Sequence, residues 1–493
     1  MKLRDLLDGI RIEPTSELPE CDIKHVTINS KNAGPKSLFV AIKGAVTDGH
    51  NFVREAFKKG SLFAIVEKEP ASKSGPFVLV EDTKAALAKI AANFYKNPSG
   101  KLNIIGITGT NGKTTTAFIV ESVFKVAKRK CGLIGTVSYN TGSRFLPADR
   151  TTPNALCLNS LFAEMVKSGT TDAVMEVSSH ALEQERVKNI IFKTAVFMNL
   201  THEHLDYHKT INQYFLSKSK LFKLLGKGGI AVINADDKMA GRLISRISGR
   251  YISFGIKKPA TIEARNINSG LDGSRFEVWI EKKKKIKIET PLIGTHNVYN
   301  ILAAIATSWA NGISEKNIKK GVEAVRLIPG RLECVRCRGG VRVFVDYAHT
   351  DNALFNVLGF LSQMKTRKII TVFGAGGERD TAKRPLMGRA VQKFSDFFII
   401  TSDNPRGENP GRIAREIEKG LLKGKKKYKI ILNRKHAIKN ALEKAEKGDI
   451  VLLAGKGHEG YQIIGNKKIP FDDRIVAGKI LKEIKNTCAS KTL

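Results

Sequence analysis

The sequence predicts an α/β protein of three domains, and three observations lead there. The chain is 493 residues long, which corresponds to roughly three units at about 100–200 residues per domain. From residue 99 onward, short apolar strands alternate with helical patterns, the rhythm of a parallel sheet with helical crossovers. One of those strands, Ile104-Ile105-Gly106-Ile107-Thr108, runs through a glycine-rich loop into a helix, the arrangement that cradles phosphates.

The elements follow in order. Residues 1–98 make the first domain, with strands at 38–42, 63–67 and 77–81 among helical stretches. The turn-rich Asn97-Pro98-Ser99-Gly100 closes it as a linker. Residues 99–330 make a central domain with a parallel sheet, and strands at 102–107, 173–177, 194–200 and 230–234. A second break falls at Pro329-Gly330-Arg331. Residues 331–493 repeat the α/β rhythm as a Rossmann-like domain, with strands at 342–345, 368–373, 396–402 and 449–454. No internal repeat or long low-complexity tract interrupts the pattern.

Composition excludes several classes. Hydrophobic residues at 42% and charged residues at 26% support packed cores. No stretch reaches the ~18 apolar residues of a membrane span. The start of the chain carries Asp5, Asp8 and Glu13 without an apolar core, so no secretory signal is read there and a cytoplasmic protein is expected. Six scattered cysteines fit a reducing compartment, and Cys334-x-x-Cys337, without a second pair, is read neither as zinc site nor as redox motif. Lys+Arg exceed Asp+Glu by 83 − 47, a net charge of +36. That surplus invites an anionic partner, but it is spread along the chain. The densest runs, at 282–287 and 423–429, lack interleaved aromatics, and the first alternates Lys and Ile like an exposed strand. A solvated basic surface and an anionic small-molecule substrate are expected, not nucleic acid.

The loop Gly109-Thr110-Asn111-Gly112-Lys113-Thr114-Thr115 precedes a helical stretch at 116–126. Backbone N–H groups and the helix N-terminus would face a polyphosphate, Lys113 would pair with it, and the Thr114 hydroxyl would ligate Mg²⁺. The loop is shorter than G-x-x-x-x-G-K-T, because Ile107 stands five residues before Gly112. Glu176 closes an apolar strand, where a carboxylate either binds Mg²⁺ or simply faces solvent.

Longer motifs surround this loop. They are Met175-Glu176-Val177-Ser178-Ser179-His180-Ala181-Leu182, Asn199-Leu200 followed by His204-Leu205-Asp206-Tyr207-His208, and Tyr214-Phe215-x-x-Lys218-x-Lys220-Leu221-Phe222. His296-Asn297-x-x-Asn300, Gly330-Arg331-Leu332-Glu333 and Asp346-Tyr347-Ala348-His349 follow. Together they resemble the Mur ligase superfamily, ATP-dependent amide-bond ligases of cell-wall synthesis, over nearly the whole chain. Gly376-Gly377-Glu378-Arg379-Asp380, Lys383-Arg384-Pro385, Asp403-Asn404-Pro405-Arg406 and Gly455-Lys456-Gly457-His458-Glu459 are most similar to the MurE type, which adds the third residue of the peptide stem. The D-N-P-R tetrapeptide resembles the meso-diaminopimelate subgroup rather than the L-lysine subgroup. The chain departs from the family at Asn29-Ser30-Lys31 (usually D-S-R), Arg150 (often Asn), Glu203 (usually Asp) and Asp351 (usually Pro).

The resemblance implies a UDP-substrate-binding N-terminal domain, a central P-loop ATPase-like domain and a C-terminal amino-acid-binding domain. It implies ATP, two Mg²⁺ ions and a CO₂-derived carbamate on Lys218 (N6-carboxylysine). The reaction implied activates the D-Glu γ-carboxylate of UDP-N-acetylmuramoyl-L-alanyl-D-glutamate as an acyl phosphate for attack by meso-diaminopimelate. Lys113, Glu176, His204 and Lys218 would be catalytic, and the last three would hold metal with Thr114. ATP would meet residues 109–115 with Asn297, Arg331 and Asp346. The UDP-substrate would meet Ser30, Ala45, Val46, Thr47, Thr151, Thr152, Ser178, Gln184 and Arg186. The amino acid would meet Arg379, Asp403, Asn404, Pro405, Arg406, Gly455 and Glu459. Asp48-Gly49-His50 is family-like yet also reads as a plain turn, and His208 reads as a structural residue. A monomer without a membrane span is expected. The alternatives are an L-lysine-adding or other sister ligase, a basic nucleic-acid ATPase, and a UDP-sugar-binding regulator. Helicase-like motifs are missing for the second, and Lys113, Glu176 and Lys218 are retained against the third.

Overall fold

The computed structural model describes residues 1–12, 18, 20–44, 47–70, 75–335, 340–422, 424 and 427–489, with side chains as far as 484. Within them, three successive stretches of chain each build their own sheet. The first is four parallel strands in chain order: His25–Thr27, Ser37–Val40, Ser61–Val66 and Phe77–Leu79. Its larger core includes Leu38, Val40, Ile65 and Ile90, and it extends onto Ala155, the first residue of helix Ala155–Lys167 in the next domain.

The central sheet has eleven strands among the described residues. Asn103–Thr108 lies between Phe192–Phe197 and Asp172–Glu176, all parallel. Both faces are covered, which is why these strands read as continuous apolar runs. One face packs on helices Lys113–Val126 and Thr295–Ala310, through Ile119, Val123, Ile301 and Ile305. The other packs Ile104, Met175 and Phe197 against Phe162 and Phe215.

The central sheet is parallel at its centre, as expected, and antiparallel at both edges. Ile262–Gly270, Gly273–Ile280 and Lys284–Thr290 form an antiparallel meander. Ser138–Asn140 and Phe145–Pro147 form an antiparallel edge on the other side. The meander strands bury one face only, so Ile286 and Ile288 point inward while Lys285 and Lys287 face solvent. Lysines along this edge strand oppose strand addition by another chain.

The third sheet runs Glu333–Val335, Arg342–Asp346, Ile450–Ala454, Ile369–Phe373, Phe397–Ile400, Lys427–Ile430, parallel except for the first. Helices cover both faces of this sheet too. Among the described residues, no helix is long and apolar enough to cross a membrane.

Candidate active site

In open parallel sheets, ligands bind beyond the carboxyl ends of the strands. Three neighbouring strands here end side by side in the phosphate loop, in Glu176 and in the segment that begins at Met198. The Thr110 N–H donates to the Asn199 carbonyl at 2.9 Å, and the Asn111 N–H to Asn199 Oδ1 at 2.9 Å. Gly112, at φ +91°, turns the chain into helix Lys113–Val126, and a Cβ there would run into Asn300. Helix formation thus begins at Lys113, three residues earlier than its sequence pattern suggests. Lys113 Nζ folds over the loop, donating to the Gly109 and Thr110 carbonyls at 2.8 and 2.9 Å.

Glu176 is buried. Its carboxylate accepts from Thr114 Oγ1 at 3.0 Å, Thr136 N at 2.8 Å and Thr136 Oγ1 at 3.0 Å. Thr136 was not foreseen; it sits in a loop with no motif of its own. A hydroxyl and a carboxylate at the mouth of a phosphate loop suit a hard cation that takes its remaining ligands from phosphate and water. No group of three or more His, Cys, Asp or Glu poised around a metal exists among the described residues, so protein atoms alone make no closed cage.

Lys218 is fully buried near this point, its ammonium position 4.4 Å from the Tyr214 ring centroid. No carboxylate pairs with it among the described residues. Burial, aided by Lys113, drives its pKa well below that of a free lysine. His204 sits at φ +56°, with its ring 4.7 Å from His180. Burial and then His180 push its pKa down to about 3, leaving a neutral ring with one unprotonated nitrogen. Glu203 stands between domains, 3.8 Å from His204 Nε2 and 3.9 Å from His349 Nε2. His208 is buried and bonded through Nε2 to Ser179 Oγ at 2.9 Å, a structural placement.

A cavity of about 590 Å³ opens between the central and C-terminal domains beside the loop. Asn111, Thr114, Asn297, Arg331, Asp346 and Tyr347 are among the residues lining it. Arg331 crosses the domain boundary, donating from Nη2 to Thr114 Oγ1 at 3.2 Å and lying 4.9 Å from the Tyr347 ring centroid. Asp346 reaches the cavity but is already engaged. Its two oxygens accept the Leu332 N–H at 2.6 Å and the Ala348 N–H at 2.7 Å. It therefore holds the Arg331 segment in place. Tyr347 was quoted within a motif without a role, and its neighbours show one, the platform under Arg331.

On the opposite side of Glu176, the residues expected at the UDP-substrate form one chain of bonds. Thr152 Oγ1 donates to the Glu176 carbonyl at 2.9 Å and accepts from Ser178 N at 3.0 Å. Arg186 donates to the Thr152 carbonyl at 2.7 Å and to Gln184 Oε1 at 3.1 Å, and Thr151 Oγ1 lies 3.0 Å from Thr136 Oγ1. Burial and nearby Arg150 lower the Arg186 pKa to about 10, so an arriving anion meets converging guanidinium charge. Ser30 is buried and bonded to Glu55 at 2.9 Å, and Thr47 is exposed in its loop. No hydrogen bond joins either to the Thr151–Arg186 group among the described residues. Ala45 and Val46 lie outside the described residues, as does Cys337. His50 is a strap, with Nδ1 2.6 Å from Asp48 and Nε2 accepting from Glu67 N at 2.9 Å.

The expected amino-acid residues gather at the carboxyl ends of Ile369–Phe373, Phe397–Ile400 and Ile450–Ala454. Asn404 Nδ2 and Lys456 Nζ both donate to Glu459 Oε2, at 2.8 and 3.0 Å, and neither bond uses Oε1. Lys456, fully buried, also donates to Asn404 Oδ1 at 3.1 Å. It was quoted in a motif but not assigned a role. Asp403 Oδ2 is buried without a hydrogen-bond partner and faces Gly455, where a Cβ would approach it to 2.5 Å. Arg406 Nη1 donates to the Gly377 carbonyl at 2.6 Å, and no carboxylate lies within ion-pair distance of it among the described residues. Burial, then the charge of Arg406, lowers the pKa of Arg379. Both arginines lie beside Gly376, and neither is in an ion pair among the described residues, an arrangement that suits a ligand anion.

Known proteins match this arrangement from end to end. The chain matches the Mur ligase family, catalytic domain, at residues 22–95, the Mur ligase middle domain at 107–308 and the Mur ligase, glutamate ligase domain, at 330–457. A UDP-N-acetylmuramoyl-L-alanyl-D-glutamate–2,6-diaminopimelate ligase of Caldanaerobacter subterraneus is 44% identical over 485 residues, covering 98% of this chain and 99% of that protein. The ligase of the same name from Clostridioides difficile is 41% identical over 494 residues, covering 100% of both. A solved structure of a ligase of that name is 29% identical, with a TM-score of 0.68 over 98% of this chain and 99% of that one. Since those matches cover all three sheets and nearly the whole length of each relative, the chain belongs to the Mur ligase family, in its MurE branch.

Proposed function

We propose that the protein is an ATP-dependent ligase that joins meso-diaminopimelate to the D-Glu γ-carboxylate of UDP-N-acetylmuramoyl-L-alanyl-D-glutamate, through an acyl phosphate. The observation that carries this reading is the interdomain cavity at the phosphate loop, into which Arg331 and Asp346 of the C-terminal domain project, in a chain whose full-length relatives bear the name of that ligase. A carboxylate does not react with an amine until its oxygen becomes a leaving group, and phosphorylation makes it one. The γ-phosphoryl passes from ATP to the carboxylate, the amine attacks the acyl carbon, and inorganic phosphate departs with the C–O bond.

The chain's residues position and neutralise. The loop N–H groups and Lys113 hold the polyphosphate, and Arg331 approaches it from the C-terminal domain. Thr152, Ser178 and Arg186 orient the dipeptide end of the UDP-substrate, with residues 1–98 as its sugar-nucleotide domain. Residues 99–330 carry ATP and 331–493 the amino acid. Arg379 takes the carboxylate beside the attacking amine, Arg406 the distal carboxylate, and Glu459 Oε1 the distal ammonium. Thr114 and Glu176 would hold one Mg²⁺, and His204 with a carbamate on Lys218 a second. Magnesium, when bound, supplies charge neutralisation on the transferring phosphoryl group. A lysine adds CO₂ through its unprotonated amine, the form that burial favours at Lys218, and loses one proton in becoming an anion. The reading includes a cytoplasmic monomer.

The test is phosphate release with ATP, the UDP-dipeptide and a panel of amino acids. Release that requires meso-diaminopimelate is expected, and release driven equally by L-lysine would overturn the assigned acceptor.

A further inference from the structure

Arg384, in the Lys383-Arg384-Pro385 motif that the site above does not use, is fully buried near the start of helix Lys383–Phe394. Its guanidinium grips two loops at once. Nη1 and Nη2 donate to the two oxygens of Glu408, each at 2.9 Å. Nη1 also donates to Glu416 at 2.7 Å, and Nη2 to the Gly376 carbonyl at 3.1 Å. Glu408 in turn accepts the Glu378 N–H. The loop 376–380, which carries Arg379, is thereby clamped to the loop 403–408, which carries Arg406.

The clamp holds backbone that would otherwise relax. Glu378 and Arg406 face each other across the seam in left-handed conformations, at φ +54° and +52°. Such conformations at residues other than glycine are strained and persist only where the surroundings over-determine them. The Gly377 N–H donates to the Asn404 carbonyl at 2.9 Å, and Gly377 packs so tightly on Pro405 that a Cβ would collide with its carbonyl. The same Gly377 carbonyl receives Arg406 Nη1. Arg406 is therefore aimed by an acceptor whose position Arg384 and Glu408 fix.

We propose that the Arg384–Glu408 pair is a positioning device for diaminopimelate: it touches no substrate but sets the direction of the Arg406 guanidinium, and so the selection of an amino acid with a distal carboxylate. The inference rests on the ligase reading above. Arg384→Lys keeps the charge and loses the two-pronged grip, and Glu408→Gln keeps the shape and loses the charge. A displacement of about 1 Å in a positioned group can cost on the order of 100-fold.

The experiment measures KM for meso-diaminopimelate, ATP and the UDP-dipeptide separately, in both variants, with and without Arg406→Ala. In otherwise wild-type protein, each variant should raise the diaminopimelate KM by about 10–100-fold and move the other two by less than about twofold. In the Arg406→Ala background the same substitutions should add less than about twofold, since their effect runs through that side chain. An unmoved diaminopimelate KM, a parallel rise in all three constants, or full additivity with Arg406→Ala would each overturn the positioning role. If Arg384→Lys fails to fold, Glu408→Gln, at a partly exposed carboxylate, decides alone. Wild-type protein that turns over no diaminopimelate would instead overturn the ligase reading, so the two failures are distinguishable.

Discussion

Removing the Arg406 guanidinium should separate two acceptors that differ by one carboxylate. Arg406 spends Nη1 on the Gly377 carbonyl, and no carboxylate pairs with the side chain among the described residues. Its remaining N–H groups are enough for a two-point contact with a ligand carboxylate. Breaking a desolvated, hydrogen-bonded charge pair by removing one partner costs about 2–5 kcal/mol. At about 1.36 kcal/mol per decade, Arg406→Ala should lower kcat/KM for meso-diaminopimelate by roughly 30- to 5,000-fold. Lysine has no distal carboxylate to lose, so its already poor kcat/KM should change by less than about threefold. The loss of the Gly377 bond is a separate cost to the fold, about 0.5–1.5 kcal/mol, and a shift in urea midpoint reads it independently. The assay is coupled phosphate release under saturating ATP and UDP-dipeptide, with each amino acid varied in turn. Equal losses for both acceptors, or efficient use of lysine by the unmutated protein, would refute selection by this arginine.

Lys113→Ala should abolish turnover in a protein that keeps its circular dichroism spectrum, because Lys113 bonds only loop carbonyls; retained ligation would remove it from phosphate binding. Lys218→Ala should be nearly inactive and regain part of its activity with added short-chain carboxylic acids, and a fully active variant would discard the carbamate. Glu408 has its carboxyl held down to about 2 by the Arg384 guanidinium, from an ordinary 4.5. Its folded pKa lies below its unfolded one, so its contribution to stability is complete above about pH 4.5 and fades as the pH falls toward 2. The gap in urea midpoint between wild type and Glu408→Gln should narrow over that window, and a gap independent of pH would refute the assignment. Gly377→Ala should weaken diaminopimelate binding and leave nucleotide binding intact, as titrations with each ligand would show.

Much of the fold was legible because a parallel strand buried on both faces writes itself as an unbroken apolar run. Asn103–Thr108, Ile369–Phe373 and Ile450–Ala454 lie within a residue of where the sequence places them. The antiparallel edges were legible only in part. Ile262–Gly270 carries polar residues on its solvent face, and Asn266 sits at φ +52° in a break of register between Arg265 and Asn268. The alternation at 282–287 reads as an exposed strand and Lys284–Thr290 is one, but its pairing direction is not written in it, and Ser138–Asn140 and Phe145–Pro147 are too short to stand out.

The candidate site divides along a similar line. Where chemistry demands a local backbone shape, the sequence shows it: Gly112 stands where the chain must turn left-handed and Lys113 where a helix begins over an anion. Where the geometry depends on residues far apart, a motif gives the members without their roles. Arg331 and Thr114 meet across 217 residues, and only folding shows that the interdomain arginine rests on the phosphate-loop threonine. The same holds for Asp346, whose carboxylate is consumed by two backbone N–H groups. It also holds for Glu408, which pairs with Arg384 rather than with Arg406 two residues away. The left-handed turn at Arg406 points its guanidinium back to the Gly377 carbonyl and leaves Glu408 to the buried helix. Freed from that neighbouring carboxylate, Arg406 keeps its positive charge for a ligand.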